Sequence, residues 1–239
     1  SITIDNVGSP GRIDGAGLAI SNVPGTNGIA TLAGQVDVTN GTIDIDTDDG
    51  TAFINVGRDG SGIFNATGST IVLNSGTGDA VFNLGGTSMS GVPIPGAQVG
   101  TATIDSSVVT INSDSAIGGS AVLNVGRNSL GTTSTLNLVN GTSVTLTNDD
   151  APGSTSLSVG RGSSEGVMNI DASAVDVADF VSIGRDGGDG TMNLYDEQYA
   201  TRPGFRLCRH CQCQRQYDGA AGRRHNPGRP GQQRHDEYR

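Results

Sequence analysis

The residues with chemical potential gather in four places. Asp44, Asp46, Asp48 and Asp49 put four carboxylates into six positions, and Asp-x-Asp-x-Asp is how a calcium loop of the helix-flanked type begins. That loop needs glycine at its sixth position and glutamate at its twelfth; this chain has Asp49 and Asn55 there. The simpler reading is a strand with Ile43 and Ile45 facing inward and their aspartates outward. Gly187-Gly188-Asp189-Gly190 resembles a glycine-rich calcium nonapeptide, but Met192 stands where that motif needs aspartate. Cys208, His210, Cys211 and Cys213 place four zinc-type ligands within six residues, too cramped for a tetrahedral site and without a second knuckle. Finally, Arg58, Arg127, Arg161 and Arg185 each end the same short phrase. They form either a ladder for an acidic polymer or a set of corner covers that bond turn carbonyls and nearby carboxylates such as Asp59 and Asp186. The second is favoured. No catalytic residue, metal ligand or cofactor is expected, and no binding residue is assigned.

The phrases themselves set the architecture. Val56-Gly57-Arg58, Val125-Gly126-Arg127, Val159-Gly160-Arg161 and Ile183-Gly184-Arg185 are each followed by a second phrase. These are Phe64-Asn65-Ala66, Leu136-Asn137-Leu138, Met168-Asn169-Ile170 and Met192-Asn193-Leu194. A third apolar-polar-apolar run follows in Ile71-Val72-Leu73, Val144-Thr145-Leu146 and Val175-Asp176-Val177. Alternation of this kind is the period of a half-buried strand. The glycine supplies a corner, and the polar cluster after it a turn. A single copy cannot bury its apolar face, whereas stacked copies can. The expected fold is all-β: a right-handed parallel β-solenoid over residues 1–194, by the usual hand of parallel crossovers, with roughly 20–25 residues per coil.

Residues 1–50 read as a looser version of the repeat, with Leu18-Ala19-Ile20, Val36-Asp37-Val38 and Ile43-Asp44-Ile45 as strands. Gly34 lies 23 residues before Gly57 and is expected one coil away from it. Phe82-Asn83-Leu84-Gly85-Gly86 reads as a first phrase that has lost its arginine. Residues 86–99, with Pro93 and Pro95, read as a loop extruded from one coil. The chain starts at Ser1 inside a strand-like stretch and reads as an internal fragment, so the missing export signal carries no weight.

Composition divides the chain in two. Residues 1–194 hold five arginines against 19 acidic residues and contain no Cys, His, Tyr, Trp or Lys. Residues 195–239 hold all three Cys, all three His, all four Tyr and nine Arg against five acidic residues. The acidic body argues against nucleic acid as a partner. No apolar run approaches the ~20 residues of a membrane helix.

The basic tail reads as the same repeat translated out of frame. Moving the frame forward by one base turns His, Asp and Tyr codons into ones for Thr, Ile or Met, and Gln and Glu codons mostly into Asn or Ser. His235-Asp236-Glu237-Tyr238 then admits a near-copy of Thr191-Met192-Asn193-Leu194. Cys211-Gln212-Cys213-Gln214 admits the small-polar alternation of the body, which makes the Cys-His cluster an accident of translation. Such a tail is expected to be irregular, and to leave the last coil open to end-to-end self-association.

The run Val56-Gly57-Arg58-Asp59-Gly60-Ser61-Gly62-Ile63-Phe64-Asn65, echoed at 183–194, resembles the β-strand repeats of bacterial autotransporter passenger regions and of similar large secreted surface proteins. The resemblance covers about residues 50–194. It implies export by a Gram-negative bacterium through an outer-membrane translocator, and a structural or adhesive stalk at the cell surface. Partners on that reading are host or environmental glycans or surface polymers. The expectation is therefore a protein that is not an enzyme. The alternative is a carbohydrate-active β-helix enzyme, a polysaccharide lyase or hydrolase, which would need carboxylates converging across a groove.

Overall fold

The structure, a computed structural model, describes residues 2–6, 16–20, 34–47, 51–57, 60–86, 98–114, 118–128, 131–148 and 155–195. Its eighteen strands, numbered in chain order, form three six-stranded sheets, and the described residues contain no helix. Sheet A holds β1 (Ile2–Asn6), β4 (Thr42–Thr47), β7 (Thr70–Ser75), β10 (Val108–Ser113), β13 (Ser143–Thr147) and β16 (Ala174–Val177). Sheet B holds β2 (Ala16–Ile20), β5 (Ala52–Val56), β8 (Ala80–Gly86), β11 (Ala121–Arg127), β14 (Thr155–Arg161) and β17 (Phe180–Arg185). Sheet C holds β3 (Gly34–Thr39), β6 (Ser61–Thr67), β9 (Val99–Asp105), β12 (Thr133–Val139), β15 (Glu165–Ile170) and β18 (Asp189–Leu194). Each strand up to β15 pairs in parallel with the third strand after it, so three strands make one coil and six coils stack into a parallel β-solenoid.

The pairing explains the irregular spacing of the phrases. Val56 pairs with Leu84, and Leu84 with Val125, so the 69 residues from Arg58 to Arg127 span two coils. The intervening copy is the Phe82-to-Gly86 phrase, whose Gly86 pairs with Arg127. The coil from Asn169 to Asn193 has the expected 20–25 residues, at 24, but others are longer: Asn137 to Asn169 is 32 and Asn74 to Asn112 is 38. The surplus lies in the corners, because loop closure becomes only slowly more costly with length while the ladders hold register. The expected equivalence of Gly34 and Gly57 is wrong. Gly34 pairs with Gly62 in sheet C, whereas Gly57 closes a strand of sheet B.

The core is a column of aliphatic side chains from all three sheets. Ile43, Ile71, Val109 and Val144 stack in sheet A, Val56, Leu84, Val125 and Val159 in sheet B, and Phe64, Ala102, Leu136 and Met168 in sheet C. Each such side chain contributes ~1.5–3 kcal/mol when fully buried. The two phenylalanines meet edge to face with centroids 5.8 Å apart, Phe64 from sheet C and Phe82 from sheet B of the next coil. Gly86 and Val99 belong to strands, which narrows the expected loop; residues 87–97 lie outside the described set.

Candidate functional site

The arginine corner is the strongest candidate on the described surface. Arg127, Arg161 and Arg185 stack in register at the ends of β11, β14 and β17, as the repeated phrase predicts; Arg58 lies outside the described residues. Neighbouring coils sit ~4.8 Å apart, where two like charges in water repel by under ~1 kcal/mol. A carboxylate offsets this. Asp186 accepts from Arg161 Nε at 2.9 Å and lies 3.5 Å from Arg185 Nε. The Arg185 guanidinium also folds back over the Phe180 ring, 5.1 Å from its centroid.

Beneath these arginines the structure departs from simple alternation. The residue just before the Val, Leu or Ile that opens each Gly corner lies on the outward side of sheet B yet is buried: Asn55, Asn83, Asn124, Ser158 and Ser182. Asn83 Nδ2 donates to the Gly86 carbonyl at 2.9 Å, and Ser182 Oγ lies 3.1 Å from Ser158 Oγ. The Asn124 amide and Arg127 Nε are buried without a hydrogen-bond partner. Burial pushes the Arg127 guanidinium below its usual range, and Arg161 pushes the same way; Asp79 and Asp186 oppose. Among the described residues, no carboxylate forms an ion pair with Arg127. Corner covering, with Asp186 as the shared anion, thus accounts for Arg161 and Arg185.

The outer faces of the other two sheets carry polar ladders along the solenoid axis. On sheet C, Asn193 donates to Asn169, Asn169 to Asn137 (2.8 Å each), and Asn137 to Thr103 at 3.4 Å. At the far end Asn65 donates to Asp37 at 2.8 Å. Asp37 is held below the usual carboxylate range, first by Asn65 and then by Gln35. On sheet A, Asn74 donates to Asp46 at 2.9 Å, Asn112 to Asn74 at 3.0 Å, and Thr147 to Asn112 at 2.9 Å.

These ladders place the other sequence candidates. Ile43 and Ile45 are buried while Asp44 and Asp46 face outward, and Asp46 is already an acceptor for Asn74. Asp48 and Asp49 lie outside the described residues. Gly187 turns with a φ of 83°, and Asp189 and Gly190 open β18. The cluster Cys208, His210, Cys211 and Cys213 lies outside the described residues. Among the described residues, no three His, Cys, Asp or Glu side chains gather as a metal site would require.

Two columns escaped the sequence reading. Gly62, Gly100, Gly166 and Gly190 occupy one register position of sheet C, with Ser134 standing in the same column. A Cβ on Gly100, Gly166 or Gly190 would run into the backbone of the sheet B corner. The signal was present: each of these glycines stands three residues before the Asn or Thr of its second phrase. The second column is Ser69, Ser107, Thr142 and Ser173, all buried, whose hydroxyls bond turn carbonyls between sheets C and A. Compared with protein-family models, characterised proteins and solved structures, the chain matches none.

Proposed function

We propose that this β-solenoid serves as a structural or adhesive stalk in an exported bacterial surface protein. The single observation that carries the reading is the way the outward side chains are used. On sheets A and C they hydrogen-bond to their equivalents in the next coil, Asn193 to Asn169 to Asn137 and Thr147 to Asn112 to Asn74 to Asp46. Side chains engaged in axial ladders stiffen a rod and present a repetitive polar surface. An enzyme of the lyase or hydrolase type needs carboxylates converging on one substrate bond. On these faces Asp37 and Asp46 are instead acceptors within the ladders.

The resemblance of the Val-Gly-Arg repeat to passenger regions supplies the cell-surface location, and with it host or environmental glycans and surface polymers as partners. The test is surface accessibility in the bacterium of origin. An epitope placed in the 87–97 segment should be removed by protease added to intact cells, and cells lacking the gene should adhere less to glycan-coated surfaces. Protection of the epitope until lysis would refute the surface placement. Release of sugars or unsaturated uronates from a polysaccharide panel by the purified chain would replace the stalk with the enzyme.

A further inference from the structure

The last coil ends the described solenoid with an unfilled edge. β16, β17 and β18 each pair on one side only. Their core positions lose cover: Val125 and Val159 are wholly buried but Ile183 is partly exposed, and Met168 is wholly buried but Met192 is not. Leu194 is 57% and Tyr195 61% exposed. Three free parallel strand edges beside open aliphatic positions fit one occupant best, which is another coil of the same register.

The structure also defines what such a coil must contain. After the Gly-Arg corner, the sheet C glycine follows four residues later in Arg58 to Gly62 and five later in Arg161 to Gly166 and Arg185 to Gly190. In the coil where serine takes that place, Arg127 to Ser134, the interval is seven. The outward Asn or Thr then comes three residues after that position in every coil from the second onward, as in Gly62 to Asn65, Gly100 to Thr103 and Gly166 to Asn169; Asp37 takes that place in the first.

We infer that the occupants of this edge are two further coils of this chain, encoded in residues 195–239 one base out of frame. Read one base forward, Gly228-Arg229-Pro230 admits Val, Gly and Arg. Gly231, Gln232 and Gln233 then admit Asp or Gly followed by two residues of Asn or Ser. Arg234 admits Gly, four residues after the Arg position. His235-Asp236-Glu237-Tyr238 admits Thr, Met, Asn and Ile. The result, Val-Gly-Arg-Asp-Ser-Ser-Gly-Thr-Met-Asn-Ile, has corner, glycine and asparagine at the intervals of the described coils. A second copy lies upstream. Thr201-Arg202-Pro203 admits Leu, Gly and Arg, with leucine where Leu84 stands in its own coil. Six residues after that Arg position, Arg209 admits Gly, and His210-Cys211-Gln212-Cys213 admits Thr, Ala, Asn and Val. This parallels Gly100-Thr101-Ala102-Thr103-Ile104.

The remaining forward frame provides a control. Shifted two bases, the junctions His235-Asp236 and Asp236-Glu237 each give a codon of C or T followed by GA, which means arginine or a stop. Only the one-base shift yields the repeat. As translated, the tail has Arg209 and Arg234 where the described coils have glycine or serine, and its Cys-His cluster is a by-product.

The test is an independent reading of genomic DNA across the codons for residues 190–200, together with two expressed chains. One is the chain as it stands; the other has a single base deleted after the Leu194 codon. We expect the genome to differ by one base. We also expect backbone amides of β16–β18 to exchange about tenfold or more slowly in the corrected chain, because an edge strand becomes an internal one. An uninterrupted genomic frame through Tyr195 overturns the inference. So does tight one-to-one zinc binding by the chain as it stands. If the corrected chain does not fold, the genomic reading still decides.

Discussion

Among the described residues, two corners of the coil place a residue at positive φ, and they treat it differently. At the corner from sheet B to sheet C the residue is always glycine: Gly57, Gly85, Gly126, Gly160 and Gly184, with φ between 66° and 72°. At the corner from sheet C to sheet A it is Asn40, Gly68, Ser106, Asn140 or Ala172, with φ between 47° and 57°. The backbone conformation is nearly the same, so left-handed φ alone does not account for the difference. Packing does. A Cβ on Gly57, Gly126 or Gly160 would overlap the carbonyl of Val99, Glu165 or Asp189 from sheet C of the next coil. At the other corner the column faces outward; a Cβ on Gly68 meets only the Asn40 side chain. The buried hydroxyls of Ser69, Ser107, Thr142 and Ser173 hold the turn from beneath.

The largest effect that would break this comparison is at Gly160. Gly160→Ala combines left-handed strain with a clash against backbone, and should cost about 2–5 kcal/mol, seen as a lower urea midpoint. A loss no larger than that of a surface alanine would remove the packing account. Gly184→Ala comes next. It belongs to the last coil, where its Cβ would find nothing nearer than Gly188 O at 3.3 Å and Gly190 N at 3.5 Å. It should cost only the conformational strain, about 1–2 kcal/mol. Equal losses at Gly160 and Gly184 would show that φ, not the neighbouring coil, dominates.

The opposite sign is expected at the tolerant corner. Ala172 already sits at a φ of 47°, so Ala172→Gly releases strain and loses some chain entropy. The balance is a gain of about 0.5 kcal/mol, measurable as a small rise in the same midpoint. A clear loss would mean that the Ala172 methyl is packed.

The smallest effect is one of titration. Asp37, at the start of the sheet C ladder, has its folded pKa lowered by Asn65 and Gln35. A lowered carboxylate stabilises the fold above its unfolded pKa, and that contribution is lost as pH falls through the folded value. Because Asp37 is solvent-exposed, the change in stability is slight and the titration itself is the readout. NMR of the Asp37 carboxyl should show the pKa rising toward normal in Asn65→Ala. An unchanged titration would remove Asn65 as the leading cause.

Much of this molecule was legible as text. Three apolar-polar-apolar phrases per unit predict three stacked strands, and Val56, Val125 and Val159 are buried as the pattern requires. The glycine-arginine phrase predicts a shared corner, and Arg127, Arg161 and Arg185 occupy it. Coil length was misjudged because corners vary in length far more than strands do, and the Gly34 equivalence failed because Gly34 belongs to sheet C and Gly57 to a sheet B corner. Alternation places Asn55, Asn83 and Asn124 on the outward side of sheet B. They face outward but are covered, which alternation has no means of expressing.

The sequence by itself determined the class of fold, the number of strands per unit and the identity of the corner phrases, because these follow from local periodicity and turn chemistry repeated along the chain. Tertiary structure alone decided which copies are neighbours, which glycines are needed for packing and which only for φ, and which polar side chains bond to each other. Those depend on distances between residues 24 to 38 positions apart, set by the stacking of coils. Asp186 shows the limit most plainly. It stands beside Arg185 in sequence, yet its shorter contact is with Arg161 of the preceding coil.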